Sequence, residues 1–168
     1  RFFALAKETG AYTIKDGVTA LGNNSMQKAQ FTGVTIPKSV RSVNSFAFSN
    51  SNIESVTFAG SPNFGTEFET GATPGQGAFN SCESLREIKN FPNVDALPAQ
   101  LFSTAKSLET FTIPETVTSI GNSAFSNTAI TSITIPAGVK EMGNALFSTD
   151  ASTVEGEEPT RTALTVTF

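Results

Sequence analysis

The chain has few of the residue types that usually carry out catalysis. It contains no histidine, so both the commonest general base and the commonest metal ligand are missing. Its single cysteine, Cys82, is the one candidate thiol nucleophile, and no imidazole exists to activate it. We expect Cys82 to be an inert packed side chain; the alternative is a reactive thiol. The sequence therefore predicts that the protein is not an enzyme.

A group of carboxylates near the end of the chain is the only candidate metal site. The group consists of Asp150, Glu155, Glu157 and Glu158. Calcium takes six or more oxygen ligands, and the spacing of these acids fits no known calcium loop. We therefore expect a solvated acidic loop, with no metal and no cofactor.

The elements that position these residues are set by a repeat. Ile113-Pro114 recurs as Ile135-Pro136, Val117 as Val139, Ile120 as Met142 and Phe125 as Phe147, always 22 residues apart. Apolar residues held at a fixed spacing, with variable polar residues between them, are typical of a solenoid. The same pattern predicts one domain over residues 1–168, with about six coils of 22–23 residues and a beginning within a coil. Insertions are expected near 59–77 and 149–162.

Each coil is expected to contribute one strand to a continuous parallel sheet. Segments such as TSITI and ESVTF are short, rich in β-branched residues and alternating in polarity. No segment has the length and periodicity of an amphipathic helix, so little α-helix is expected. Stacked coils share an apolar interior. One phenylalanine per coil should form a row through it, namely Phe48, Phe79, Phe102, Phe125 and Phe147.

The aligned coils share the pattern LxxVTIPxxVxxIGxxAFxxC/S, which is most complete in IPETVTSIGNSAFSN and AFNSCESLREI. This pattern resembles the BspA-like leucine-rich repeats of bacterial surface proteins and of some protozoan ones. The resemblance implies a right-handed, leucine-rich-repeat-like solenoid and, for some relatives, secretion and adhesion to host matrix or to other cells. No catalytic residue belongs to the repeat. The position of the family's cysteine is matched by Cys82, and other coils have Ser51, Ala105 or Thr128 there.

The outward side chains of the strands form the main candidate binding surface. One row has mostly threonines, which either bind a ligand or only reflect β-propensity. The charged cluster Arg86, Glu87 and Lys89 is the least uniform part of the face and the best candidate for recognition. The first row is Thr35, Thr57, Lys89, Thr112 and Thr134; the second is Glu54, Arg86, Glu87, Glu109 and Thr131.

Two aromatic residues, Phe64 and Phe68, lie in the first insertion, outside the repeat constraint. Exposed aromatic side chains on loops are common binding anchors. The alternative, which we favour, is that these rings pin the insertion to the edge of a coil.

The remaining function classes are separated by charge and composition. The formal net charge is -4, so no electrostatic footprint for nucleic acid exists, and no apolar run is long enough to span a membrane. We expect a secreted or cell-surface module that binds a protein ligand, such as host matrix or another cell surface. A structural spacer that displays another domain is the main alternative. A glycan-binding module is disfavoured because the chain has one tyrosine and no tryptophan for stacking.

Overall fold

The computed structural model describes residues 9–65, 76–149 and 164–168. These residues form a β-solenoid of about six turns, built from short parallel strands. No α-helix occurs within the described ranges. A search of the same ranges for a membrane-spanning helix finds none.

The first face of the solenoid carries the longer strands, which were predicted from their alternating polarity. Val34 pairs with Val56, and Val56 pairs with Ile88, so the apolar residue at the centre of each strand points into the solenoid. These strands are β1 (Ala11–Thr13), β3 (Gly33–Ile36), β5 (Ser55–Phe58), β7 (Glu87–Lys89), β10 (Ser132–Thr134) and β12 (Thr165–Thr167). They form one sheet in the order β1-β3-β5-β7 and a second sheet of β10 and β12.

A second face carries two-residue strands, whereas the sequence predicted only one strand in each coil. The strands are β2 (Ala20–Leu21), β4 (Ser42–Val43), β6 (Asn63–Phe64), β8 (Ala96–Leu97), β9 (Ser119–Ile120) and β11 (Glu141–Met142). They form two sheets, β2-β4-β6 and β8-β9-β11. β6 lies within the range 59–77 that was expected as an insertion, and it pairs in register with β4.

The predicted row of phenylalanines is confirmed. Phe48, Phe79, Phe102 and Phe125 are fully buried, and each ring stacks on the next with centroids 5.3 to 6.0 Å apart. Phe147 continues the row, 5.7 Å from Phe125, but is only half-buried. Phe79, Phe102 and Phe125 therefore each have an aromatic neighbour from the coil on either side, which is how the coils share one interior.

The sheet on the first face is not continuous, contrary to the prediction. Residues 109–113, which we call the open segment, make no backbone hydrogen bond to another described residue, and β7 and β10 pair only on their other sides. Phe111 explains the break. Its ring occupies the position of Val56 or Ile88 and contacts Phe91 at 5.0 Å, Phe102 at 4.9 Å and Phe125 at 5.6 Å. The bulk of this cluster of four rings accounts for the separation of the open segment from both neighbouring strands.

Around residues 109–113 the opening affects only the first face, although the second face is itself interrupted elsewhere, between β6 and β8. On the second face β8 and β9 pair directly. In the turns that follow, the amide of Phe102 donates to the carbonyl of Ala124 at 2.9 Å, and the amide of Phe79 donates to the carbonyl of Leu101 at 3.1 Å. The coils therefore stay joined beneath the open segment.

Met142 departs from the expected pattern at the last full coil. It pairs in register with Ile120, as the repeat predicts, but 52% of its surface is exposed whereas Ile120 is buried. Among the described strands β11 is the last in its sheet. Met142 therefore has a coil on one side only.

Replacing Phe125 by alanine should lower the free energy of unfolding by about 3 to 5 kcal/mol, because the ring is fully buried and stacked on both sides. The matched variant Phe147→Ala should lose less than half as much, since that ring is already half-exposed. Urea unfolding followed by circular dichroism measures both. Equal losses would contradict the assignment of Phe125 to the centre of the row.

Gly121→Ala should lower the free energy of unfolding by about 1 to 3 kcal/mol through overpacking. A Cβ atom at Gly121 would clash with the backbone nitrogen of Ala99 in the neighbouring coil. Gly22 follows β2 as Gly121 follows β9, but a Cβ atom there would meet nothing within 4 Å. Gly22→Ala should therefore be neutral or slightly stabilising in the same urea experiment, and a loss as large as that of Gly121→Ala would contradict the close approach of coils.

Candidate functional site

The first face presents the row of outward side chains that the sequence predicted. Thr13, Thr35, Thr57 and Lys89 lie in register on neighbouring strands, and Thr134 pairs with Thr167. Lys89, Thr112 and Thr134 are exposed, whereas Thr57 is partly buried between its neighbours in the sheet. Neighbouring strands lie about 4.8 Å apart, so these short side chains make a nearly flat surface.

The charged cluster at β7 is exposed, but its members lie in different rows. The sequence placed both Arg86 and Glu87 in the row of Glu54, whereas the sheet aligns Glu87 with Ser55. The amide of Arg86 donates to the carbonyl of Glu54 at 2.8 Å, so Arg86 begins the strand one residue earlier. The Lys89 ammonium lies 3.1 Å from the Glu87 carboxylate, and both side chains are more than half exposed. An ion pair in water contributes little stability, so this pair mainly fixes the two side chains relative to each other.

Arg86 differs from the other two members of the cluster. It is exposed and forms no ion pair with any described residue. Its guanidinium group, which is always charged, is available to bind a carboxylate in two parallel hydrogen bonds.

Beside this cluster the face opens into a groove of about 410 Å³, which we call groove A. The groove lies between β7 and the open segment. Its rim is polar, and its floor carries the side chains of Ile88, Phe91 and Phe111. The polar side chains on its rim are Arg86, Glu87, Asn90, Asn93, Thr110 and Thr112.

On its other side the open segment borders a second groove of about 360 Å³, groove B, which lies against β10. Thr110, Phe111 and Thr112 line both grooves. Thr134 lines groove B, where Glu115 supplies the only charged side chain. Thr112 and Thr134, which the sequence singled out, are therefore brought together across groove B.

The other predicted residues lie apart from the grooves. Glu109 begins the open segment and is exposed but lines neither groove. Phe64 is half-buried in β6, stacks on Phe91 at 5.3 Å and meets Phe58 edge-on at 6.1 Å. The ring thus anchors the start of the insertion, which was the favoured expectation. Phe68 lies outside the described residues.

The sequence did not identify Asn90 and Asn93 as site residues. It also did not predict the two grooves beside the open segment. Asn90 has a φ of 54°, in the left-handed region, and it directly follows β7. An asparagine tolerates this conformation, which turns the chain so that Phe91 enters the interior. The available signal was the extra residue between Ile88 and Phe91, compared with Val56 and Phe58 in the preceding coil.

Cys82 is fully buried, as expected for an inert packed side chain. Its sulfur lies 3.1 Å from the carbonyl oxygen of Phe48 and 3.4 Å from the hydroxyl of Ser51. Burial raises the pKa of the Cys82 thiol to about 11, although hydrogen bonds with Ser51 oppose the shift. The thiol is therefore protonated at neutral pH.

No group of three or more potential metal ligands occurs among the described residues. The acidic residues Asp150, Glu155, Glu157 and Glu158 lie outside these residues.

One known protein family matches the sequence of this chain. The model of the BspA type leucine rich repeat region matches in six copies, over residues 2–67 and 19–154. No curated protein sequence matches the chain.

Three solved structures of bacterial proteins are similar to the chain. A leucine rich cell surface protein from Faecalibacterium prausnitzii is 25% identical, with a TM-score of 0.51, over 82% of this chain and 44% of that one. A leucine-rich repeat protein from Bacteroides ovatus is 20% identical, with a TM-score of 0.47, over 82% and 46%. The pneumococcal vaccine antigen PcpA is 19% identical, with a TM-score of 0.48, over 88% and 39%. The chain spans less than half the length of each.

The raised pKa predicts how Cys82 responds to pH. At pH 8 a disulfide reagent should modify the native thiol at less than about a tenth of its rate in denaturant, because the thiolate is the reactive form. Unfolded thiols ionise near pH 8.5. Between that pH and about 11 the native state retains a proton that the unfolded state has lost, so the free energy of unfolding should fall as pH rises.

Cys82→Ala is the control for this effect, because Ala105 holds the same position one coil later. Urea unfolding at several pH values should show that the free energy of unfolding falls less with rising pH in the variant, because the variant lacks the Cys82 thiol. Fast stoichiometric labelling of the native protein, or identical pH profiles for the two proteins, would contradict the buried thiol.

Proposed function

Because this chain belongs to the BspA-type leucine-rich repeat family, we propose that it is a non-enzymatic cell-surface module that binds a protein partner through its first face. A cell-surface location is supported by the similar structure from Faecalibacterium prausnitzii, which is a leucine rich cell surface protein. The partner we propose is a host matrix protein or a protein on another cell. A solenoid suits this role because it presents a long surface on a rigid interior.

The observation that carries the proposal is the pair of grooves around the open segment. Grooves A and B adjoin on the exposed face and share the side chains of Thr110, Phe111 and Thr112. Protein-binding surfaces combine apolar and aromatic side chains at the centre with a polar rim, and arginine is enriched in them. Groove A has this composition, with two phenylalanine rings on its floor and Arg86 on its rim.

A non-enzymatic role is supported by the side chains that are present. The chain has no histidine, and its one thiol is buried with a raised pKa. The charged side chains on the face, Arg86, Glu87 and Lys89, are exposed to solvent. Exposed charges at this position suit recognition of a partner more than proton transfer.

The proposal is tested by measuring binding of the isolated chain to immobilised matrix proteins and to intact host cells, using a fluorescently labelled protein. The double variant Arg86→Glu/Lys89→Glu should reduce binding about tenfold or more, a loss of about 1.4 kcal/mol, because it reverses both cations on the face. The control is Lys38→Glu/Arg41→Glu, which makes the same change in net charge. Both of its residues are exposed and lie outside the first face.

The outcomes separate the candidate functions. An adhesion module binds a matrix protein or a cell, loses that binding in the face variant and retains it in the control. A spacer binds none of these surfaces, and a glycan-binding module gives signal on a glycan array instead. Equal effects of the two double variants would show that net charge alone drives binding, which would overturn the assignment to the first face.

A further inference from the structure

We propose that groove A binds an extended segment of the partner protein as an added β-strand, with a carboxylate of that segment on Arg86. This inference rests on the proposed function, because it names the class of ligand that the first face binds. Three observations at groove A support it: unpaired backbone groups on both walls, an apolar floor and an unpaired cation on the rim.

The walls of groove A carry backbone groups without partners. β5 pairs with a strand on each side, whereas β7 pairs only with β5. The facing wall is the open segment, which has no backbone hydrogen bond to any described residue. Exposed N–H and C=O groups of this kind are a template for another strand, and peptide recognition by strand addition uses them.

The floor of groove A is apolar and half-buried. Ile88, Phe91 and Phe111 are each partly exposed at the bottom of the groove. Successive side chains of an extended segment point to opposite sides, so every second one would face this floor. Apolar residues at these alternate positions would bury the exposed parts of two aromatic rings, each of which offers a large contact area.

The charged side chains on the rim of groove A indicate which polar group of the ligand it would bind. Arg86 lies at the start of β7 and has no ion pair among the described residues, while Glu87 is held by Lys89 at 3.1 Å. Groove B has only Glu115 as a charged lining residue. A segment with one carboxylate therefore matches groove A better than groove B. Glu87 and Glu109 disfavour a second carboxylate nearby, so a single acidic position near one end of the segment is expected.

The test uses defined peptides, because the natural partner is unidentified. Two labelled heptapeptides of alternating threonine and valine carry a single glutamate, one at the amino end and the other at the carboxyl end. At least one of them should bind the protein in a fluorescence anisotropy titration. Arg86→Glu should weaken that binding about tenfold or more and should favour the matching peptide with lysine in place of glutamate. Arg41→Glu, an exposed charge reversal elsewhere, should leave binding unchanged.

Amide hydrogen exchange measured by nuclear magnetic resonance tests the strand itself. In the free protein, the amides of residues 110–112 should exchange at least about tenfold faster than that of Val56, which lies in a paired strand. Binding of the glutamate peptide should slow exchange at one or more of these three amides. Slow exchange in the free protein would show that the open segment is already paired and would overturn the inference.

The remaining outcomes are equally decisive. The inference fails if neither glutamate peptide binds, if binding ignores Arg86, or if it leaves exchange at residues 110–112 unchanged. It also fails if raising the protein concentration alone slows these amides, because a second copy would then occupy the groove. If the protein still binds matrix or cells while ignoring both peptides, the proposed function stands without strand addition. Binding of the peptides without any matrix or cell binding would leave groove A as a peptide site and remove the adhesion role.

Discussion

The stacking of aromatic rings between coils is the interaction on which the rest of this structure depends. A coil of this length cannot bury its own apolar side, and its strands of two to four residues would not pair stably alone. Phe48, Phe79, Phe102 and Phe125 link four coils through ring contacts that are fully removed from water. The hydrogen bonds of both faces join the same coils that these ring contacts hold together.

The same interaction explains why the first face opens where it does. A strand ladder requires a spacing of about 4.8 Å, and the interior must accommodate its side chains at that spacing. Val56 and Ile88 fit, but the larger ring of Phe111 packs against the rings of Phe91, Phe102 and Phe125. Protein interiors do not compress, so the backbone of the open segment moves outward instead. The grooves are thus a consequence of core packing, although they lie on the surface.

The sequence predicted the parts of this fold that repeat and missed those that depend on several coils at once. The recurrence of Ile-Pro and Ala-Phe pairs was enough to predict parallel strands and the phenylalanine row. The segment ETFTI around Phe111 predicts a strand, because it alternates in polarity as ESVTF does. The pattern within a single coil does not distinguish these two segments. Its failure to pair arises from four rings that come from different positions in the chain. Likewise, Arg86 and Glu87 were both placed in the row of Glu54, because the extra residue before Phe91 leaves that register undecided until the coils are stacked.

In the proposed mode of binding, the backbone of the open segment and the side chains of groove A contribute differently to recognition. Thr110 and Thr112 of the open segment are exposed, so water can satisfy unpaired backbone groups there and the broken ladder is tolerated. An added strand would exchange those waters for peptide groups, and such an exchange yields only about 0.5 to 1.5 kcal/mol for each hydrogen bond. Many extended segments could make it equally well. Under the proposal, discrimination among partners therefore comes from Arg86 and from the two phenylalanine rings on the floor, so the packing defect would set the class of ligand and a few side chains its identity.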